Sequence, residues 1–283
     1  MRTGSGRVES TAGGPAGDRD PIVEVRLFGG LEVKTSRGVV AQREWGKRKA
    51  RLLFAMLVAR HGTDVHRAEL IDYLWPDLDE AHGVNNFYVV WSAMKRAVAP
   101  GSSDDDASRP FENHNGVCRI VSGRVVSDLD LFMKARDEAR RANAAHDTAA
   151  EVIALRTSID LYRGDVLPGD IYDDWFGGIR QRFRQEYQAS VIRFATIMIE
   201  QGDPLAAMPF VIEASERDPL REDLYQARIK VEVASNQRGA AMETYMSCRN
   251  TLVEELGIDP SRETVELYQQ ILAMEDGPES LES

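Results

Sequence analysis

The charge of this chain changes where its hydrophobic pattern changes. Residues 20–128 carry 15 Lys and Arg against 15 Asp and Glu, whereas residues 129–283 carry 17 against 29. The first part opens with segments that alternate like strands and holds the basic run Lys47–Arg51, while the second part is helical in its periodicity. This asymmetry favours an anion-facing module joined to a domain that meets other proteins. Only the first part is predicted to bind nucleic acid.

Composition narrows the class of protein. The chain has 283 residues, 43% of them hydrophobic, which is enough for two compact domains. No apolar run approaches the roughly 18 to 20 residues that cross a bilayer, and residues 1–20 lack the apolar stretch of a signal peptide. A cytoplasmic protein without membrane contact is therefore expected. The 2 cysteines, Cys118 and Cys248, lack the spacing of a zinc site, so both are predicted to be small buried side chains.

The first part predicts a small sheet, three helices and a hairpin. Residues 1–20 are predicted to be disordered, and residues 21–128 to form one domain. A polar run from Pro100 to Pro110 is also predicted to be disordered. The predicted elements are, in order, an antiparallel sheet from Val23 to Val40, helices at Lys49–His61, Arg67–Trp75 and Asn85–Val98, and a hairpin within Phe111–Val126 whose turn signals are Asn115-Gly116 and Ser122-Gly123.

The third predicted helix has two distinct faces. At about 100° per residue, four apolar side chains share one narrow stripe: Phe87, Trp91, Met94 and Val98. The opposite face holds Asn85, Val89, Ser92 and Arg96, with Tyr88 and Lys95 on its flanks. We expect the stripe to be buried and the other face to be available.

The second part predicts an all-helical domain over residues 129–275, with a disordered tail at 276–283. Its helices are predicted at Asp130–Asn143, Thr148–Tyr162, Trp175–Gln201, Leu205–Arg217, Arg221–Ser235 and Gly239–Leu256. Stacked antiparallel pairs of this kind resemble tetratricopeptide repeats, although the 34-residue signature is present only loosely. Such arrays form concave surfaces that bind partners.

Several short stretches occur together and in order. They are Lys49-Ala50-Arg51, Leu70–Trp75, Asn85 with Ser92 and Lys95-Arg96, Asp128 with Phe132, Leu161–Gly164, Pro219–Glu222 and Leu252–Ser261. With them the chain resembles the SARP family of antibiotic-regulatory activators. That resemblance implies a mainly α protein with a small α+β part: an N-terminal winged helix-turn-helix of OmpR type, with antiparallel sheet and wing, followed by a tetratricopeptide-like bacterial transcriptional activation domain (BTAD).

In a helix-turn-helix, phosphate contacts set position and base contacts set sequence. The residues expected at the phosphates are Lys47, Arg48, Lys49, Arg51 and the wing residues Arg119 and Arg124. Those expected at base edges are Asn85, Asn86, Tyr88, Val89, Ser92 and Arg96, with Lys95 at the rim. The resemblance further implies an activator that binds direct repeats in double-stranded DNA near a promoter and contacts RNA polymerase or its sigma factor. Tandem sites would suit two or more copies of the chain side by side.

One departure from the family pattern leaves a second interpretation open. Val90 and Ala93 are expected on the exposed face of the third helix, where the family commonly has polar or basic residues, and the first part is neutral overall. Both features favour weak readout, or a scaffold protein whose winged helix no longer binds DNA. The run Lys47–Arg51 is also compatible with an ordinary solvated helix start, and Tyr88 with a surface aromatic.

An enzyme is the third interpretation. Asp165, Asp170, Asp173 and Asp174 crowd one segment and could hold Mg²⁺ or act as acid and base. Helix capping is the commoner role of such residues, and the chain contains no phosphate-binding loop, zinc-protease or nucleophile-elbow motif. We therefore predict no catalytic activity, no metal and no cofactor.

Overall fold

The computed structural model describes residues 23–60, 62–100, 109–168 and 173–274. The described residues form two compact units, one drawn from residues 1–25 and 33–126 and the other from residues 26–32 and 127–283. The disorder predicted for residues 1–20 and 276–283, and for most of the run from Pro100 to Pro110, falls outside the described residues. The short segment 26–32 belongs to the second unit, although it lies within the predicted first domain, residues 21–128.

Among its described residues, the first unit has two small sheets and three α-helices. Its strands are β1 (Val23–Arg26), β2 (Glu32–Thr35), β3 (Gly38–Val39), β4 (Val65–His66), β5 (Phe111–His114), β6 (Val117–Ile120) and β7 (Val125–Ser127), and its helices are α1 (Arg48–Ala59), α2 (Arg67–Leu74) and α3 (Glu80–Val98). One sheet has the order β3-β2-β1-β7 and the other the order β4-β6-β5. In the second sheet, β5 and β6 form an antiparallel hairpin in which Phe111 faces Ile120 and His114 faces Val117.

Helix α3 buries the stripe that the sequence predicts. Phe87, Met94 and Val98 are at most 1% exposed, and Trp91 stacks on Phe87 with ring centroids 5.6 Å apart. The helix begins earlier than predicted because Asp79 caps it, accepting a hydrogen bond from the backbone N–H of His82 at 3.1 Å. The predicted stripe is thus confirmed, and the helix is five residues longer at its start.

The expectation that Val90 and Ala93 lie on the exposed face is wrong. Both are buried, at 3% and 5% exposure. Helix α3 packs against α1, α2 and the short 3-10 helix Gln42–Trp45, so its buried arc is wider than one stripe. These two positions are core positions, and apolar residues there say nothing about readout of DNA.

A glycine sets the approach of α2 to α3. Gly83 is buried in the first turn of α3, and a Cβ added there would lie 2.5 Å from Cγ2 of Ile71 on α2. That distance is shorter than any tolerable carbon contact, so a larger residue would push the two helices apart. Gly83 therefore helps to fix where α3 lies on the domain.

The second unit is an array of antiparallel helices. They are α4 (Asp128–Ala144), α5 (Thr148–Leu161), α6 (Asp173–Glu200), α7 (Met208–Arg217), α8 (Glu222–Ala234), α9 (Arg238–Leu256) and α10 (Arg262–Ala273). Each packs on the next along the chain, and the six helices predicted from the sequence are all present. Helix α10 was not predicted; Ser261 caps it and Tyr268 stacks on Tyr245 of α9 with centroids 4.1 Å apart. The predicted fold class is confirmed.

An aromatic cluster holds segment 26–32 in the second unit. Phe28 is 4% exposed and lies edge-on to Phe132 and Phe183, with centroids 5.5 and 5.4 Å away. The backbone N–H groups of Leu27 and Phe28 donate to the carboxylate of Asp128 at 2.9–3.0 Å. Because a buried N–H needs an acceptor, the first residue of α4 is part of what folds this segment into place.

Both cysteines, Cys118 and Cys248, are buried and unpaired, as predicted. Burial raises the pKa of each thiol to about 12. Within the described part of the chain, every helix is too short or too polar to cross a membrane.

Candidate nucleic-acid interface

The exposed face of α3 carries the residues predicted to meet bases. Asn85, Asn86 and Arg96 are exposed, Val89 is 48% exposed, and Ser92 and Lys95 are half-buried. Asn85, Val89, Ser92 and Arg96 lie opposite the buried stripe, and Asn86 and Lys95 lie on its flanks, because a helix advances about 100° per residue. The face offers amide, guanidinium, hydroxyl and methyl groups, which are the groups that can distinguish base edges in a major groove.

Tyr88 lies on this face but is held by a residue that sequence reasoning missed. Nη1 of Arg67, the first residue of α2, donates to the Tyr88 hydroxyl at 2.6 Å, and the guanidinium lies 5.5 Å from the ring centroid. The backbone N–H of Arg67 donates to the carbonyl of Gly116 in the hairpin turn at 2.7 Å. Arg67 thus joins α3 to that turn. The signal available in the sequence was the position of Arg67, which directly follows Val65 and His66 of β4 and begins α2.

The basic run at the start of α1 is not uniform. Lys47 and Arg48 are exposed and Arg51 is half-buried. The ammonium of Lys49, by contrast, donates to the carbonyl of Leu74 at the end of α2 and lies 4.8 Å from the centroid of the Trp75 ring. Burial lowers the pKa of Lys49. The ammonium group of Lys49 therefore interacts with groups of its own domain, the Leu74 carbonyl and the Trp75 ring.

The two arginines predicted on the wing occupy different places. Arg119 is on β6 of the hairpin, where its Nε and Nη2 donate to Glu112 Oε2 at 3.0 and 2.9 Å. Arg124 lies beyond the hairpin, and its carbonyl accepts from the N–H of Val23 on β1. Its assignment to the wing is wrong because Ser122-Gly123 reverses the chain into β7, which pairs with β1 and not with the hairpin.

Two features define the hairpin: a turn with positive φ angles and a group of charged residues at its base. Asn115 and Gly116 both have positive φ, at 50° and 77°, which is the turn that their sequence predicts. At the base, hydrogen bonds from Arg119 and then Arg109 lower the pKa of Glu112. Glu112 is therefore ionised at neutral pH and partly neutralises Arg119.

The acidic segment considered as a metal or catalytic site is only partly described. Asp165 accepts hydrogen bonds from Arg184 and from the hydroxyl of Tyr162 at 2.8 Å. Asp170 and the side chains of Asp173 and Asp174 fall outside the described residues. In the part of the chain that the structure describes, no three His, Cys, Asp or Glu side chains are grouped to hold a metal ion.

Comparison with known families identifies the helical part. A family model described as bacterial transcriptional activator domain matches residues 127–272, just over half of the chain. The chain belongs to the BTAD family. The matched region begins at the cap of α4 and ends one residue before the end of α10, so it spans the described helices from α4 to α9 and nearly all of α10.

The curated relatives of this BTAD protein are regulators. The regulatory protein DnrI of Streptomyces peucetius is 26% identical over 245 residues, which are 81% of this chain and 86% of DnrI. The regulatory protein AfsR of Streptomyces griseus is 26% identical over 89% of this chain, but the chain spans only 24% of AfsR. The transcriptional regulatory protein MoaR1 of Mycobacterium tuberculosis is 25% identical over 88% of this chain and 79% of MoaR1. Membership of the SARP family, predicted from the sequence, is confirmed.

A solved structure shares the fold of this BTAD protein. Mycobacterium tuberculosis EmbR, in complex with a low-affinity phosphopeptide, superposes with a TM-score of 0.73 at 21% identity, over 89% of this chain. The chain spans 65% of the EmbR chain. At that identity the likeness concerns the fold alone, and it supports the winged helix together with the helical array.

Proposed function

We propose that this SARP-family regulator is a transcriptional activator that binds double-stranded DNA near a promoter through α3. The observation that carries the proposal is the division of α3 into a buried apolar arc and an exposed face of Asn85, Val89 and Arg96 within a winged helix. A helix with such a face can lie in a major groove while the hairpin meets the backbone. No reaction is proposed, in keeping with relatives that are named as regulators.

The proposed contacts follow from the chemistry of each group. Asn85 and Asn86 would pair with adenine, Arg96 with guanine and Val89 with the methyl group of thymine, while Tyr88 and Ser92 would meet neighbouring base edges and Lys95 the rim. Lys47, Arg48 and Arg51 would meet phosphates, and Arg119 would do so from the hairpin. We assign Lys49 to holding α1 against the end of α2, since its ammonium already has an acceptor and a ring there.

Charge supports tandem binding over a single copy. Residues 20–128 are neutral overall and residues 129–283 carry 17 basic against 29 acidic residues, so long-range attraction of one copy to DNA is weak. Two or more copies on direct repeats would add their contacts, and RNA polymerase or its sigma factor would add more. Placement in the cytoplasm, where the DNA and polymerase are, is part of this proposal.

A mobility-shift titration with DNA from upstream of the protein's own operon tests the proposal. We expect Lys47→Ala and Arg51→Ala to weaken binding to all sequences and to reduce the salt dependence by about one unit of slope each. Arg96→Ala should relax sequence preference by about 1–3 kcal/mol at one position. Arg262→Ala, at a position 91% exposed on α10, is the control and should change neither.

In this mobility-shift titration, equal affinity for operator and unrelated DNA, or no binding at all, would contradict the proposal. The scaffold interpretation would then stand, although Val90 and Ala93, which first favoured it, are buried in the core. Only the neutral charge of residues 20–128 still supports it.

A further inference from the structure

The helical domain contains a small polar cavity that the DNA-binding proposal does not use. The cavity measures about 120 Å³ and lies where α6 and α7 meet the segment that follows α5. Tyr162 and Tyr187 form one wall, with ring centroids 4.2 Å apart in a stacked pair. Arg184, Gln188, Arg217 and Asp218 supply the polar lining.

Gln188 has an acceptor without a partner. Its side chain lines the cavity and is 2% exposed, and its Nε2 donates to Asp218 Oδ2 at 2.8 Å. Its Oε1 is buried and has no hydrogen-bond partner among the described residues. Turning the amide over would set Oε1 against the Asp218 carboxylate, so the observed orientation is the favourable one. Buried amide oxygens are normally satisfied, and this one calls for a donor.

The two arginines of the lining have N–H donors to spare. Arg217 uses Nε and Nη2 on Glu213, and Arg184 uses Nε and Nη2 on Asp165. Each guanidinium has five N–H donors, so both retain others. Nη1 of Arg217 is 3.3 Å from where a Cβ of Gly164 would stand, and the absence of that side chain leaves it room. The side chains of Arg184 and Arg217 are 45% and 38% exposed, which leaves the cavity reachable from solvent.

We propose that this cavity binds a small zwitterion, an α-amino acid with a short side chain. The acceptors of Asp218 and Gln188 would take the ammonium group, and the spare donors of Arg184 and Arg217 would take the carboxylate. The lining holds both carbonyl or carboxylate acceptors and guanidinium donors, so a ligand that carries an ammonium and a carboxylate group can use both. An apolar cavity of about 150 Å³ holds six carbon atoms as benzene, so this one suits a ligand of roughly five to seven heavy atoms, the size of glycine, alanine or serine.

The test is isothermal titration of the full chain with glycine, L-alanine and L-serine, each compared with sodium acetate and methylammonium chloride at the same concentration. We expect at least one amino acid to bind saturably at one site and to raise the melting temperature. Acetate and methylammonium, which each carry half of the ligand, should bind at least tenfold more weakly. Equal binding of acetate would make this an anion site and overturn the proposal, as would the absence of saturable binding by all three amino acids.

Variants locate the site. Gln188→Met should weaken binding of the amino acid at least tenfold, whereas Gln185→Met, an exposed position on the same helix, should leave it unchanged. If Gln188→Met fails to fold, Arg217→Gln at a partly exposed position replaces it with the same expectation. Binding that persists in the folded Gln188→Met or Arg217→Gln protein would place the ligand elsewhere and refute the assignment. A crystal grown with the amino acid that shows only water in the cavity would do the same.

Discussion

The backbone N–H of Leu27 donates to both carboxylate oxygens of Asp128, a residue 101 positions later in the chain. Phe28 adds a third hydrogen bond to the same carboxylate at 2.9 Å. The contact fixes segment 26–32 on the start of α4 and lets the ring of Phe28 enter the aromatic cluster. A buried polar interaction and a buried aromatic side chain thus act at one place.

Asp128→Ala should lower the free energy of unfolding by about 2–4 kcal/mol, because it leaves buried N–H donors without an acceptor. Asp137→Ala, an exposed position on the same helix, should change it by less than about 0.5 kcal/mol. Urea denaturation followed by far-UV circular dichroism measures both. Equal effects of the two substitutions would mean that the Asp128 hydrogen bonds contribute little.

The two faces of α3 can be compared with a matched pair of substitutions. Val90→Thr introduces a hydroxyl at a position 3% exposed and should destabilise the protein by about 1–3 kcal/mol. Val89→Thr makes the same change at a position 48% exposed and should stay within about 0.5 kcal/mol while weakening operator binding. Thermal unfolding measures the stability of each variant, and a mobility shift measures its binding to the operator. The reverse order of destabilisation would contradict the orientation of α3.

Gly83→Ala should destabilise the winged helix by about 1–3 kcal/mol even though alanine favours helices, because its Cβ would meet Ile71 at 2.5 Å. Gly177→Ala is the control, since a Cβ on α6 would meet nothing within 4 Å. It should stabilise the protein by about 0.4–1 kcal/mol. Denaturation midpoints of the two variants should therefore move in opposite directions. A shift of Gly83→Ala to higher stability would show that α2 and α3 can separate freely.

Tyr88 and Arg67 should act as a coupled pair in DNA binding. Tyr88→Phe removes the acceptor for Arg67, and Arg67→Ala removes the group that holds the ring. We expect the two single variants and the double variant to be non-additive in binding free energy, with a coupling of about 0.5–3 kcal/mol. A double-mutant cycle by fluorescence anisotropy on one operator measures it. Strict additivity would mean that Arg67 does not orient Tyr88 on the DNA.

Glu112 predicts a pH dependence of stability. Hydrogen bonds from Arg119 and Arg109 hold its pKa in the folded protein below the ordinary value of 4.5. Its contribution to stability is therefore present above that ordinary value and is lost as the pH falls through the lower, folded value. Wild type should be more stable than Glu112→Gln at pH 7, and the difference should shrink at pH 3. Denaturation at both pH values checks this, and a difference that grows in acid would reverse the sign.

Local sequence patterns predicted most of the helices and the hairpin turn. The apolar period of 3.6 placed Phe87, Trp91 and Met94 correctly, and turn residues placed the hairpin at Asn115-Gly116. Val90 and Ala93 were misplaced because α3 is packed on more than one side, which a single stripe cannot express. Helix α10 was missed although Ser261 provides a cap and Ile271 a buried position.

The periodicity of the sequence did not predict the long-range contacts. The sequence near Phe28 does not indicate that its ring packs on Phe132 and Phe183. The alternation of residues 23–27 predicts a strand whether or not that contact forms. The pairing of Lys49 with Leu74 and Trp75 likewise depends on how α1 meets the end of α2. The DNA contacts of α3 and the division of the chain at residue 128 stay predictions.

Because residues 26–32 belong to the second unit, the chain crosses between the two units three times, after Val25, after Glu32 and after Val126. A gene fusion that exchanged only the part after Val126 would set the Phe28 of one parent in the aromatic cluster of another. Exchange of these regulatory modules during evolution, or in a designed chimera, therefore has to carry a seven-residue piece of the amino-terminal region along with the carboxyl-terminal helices.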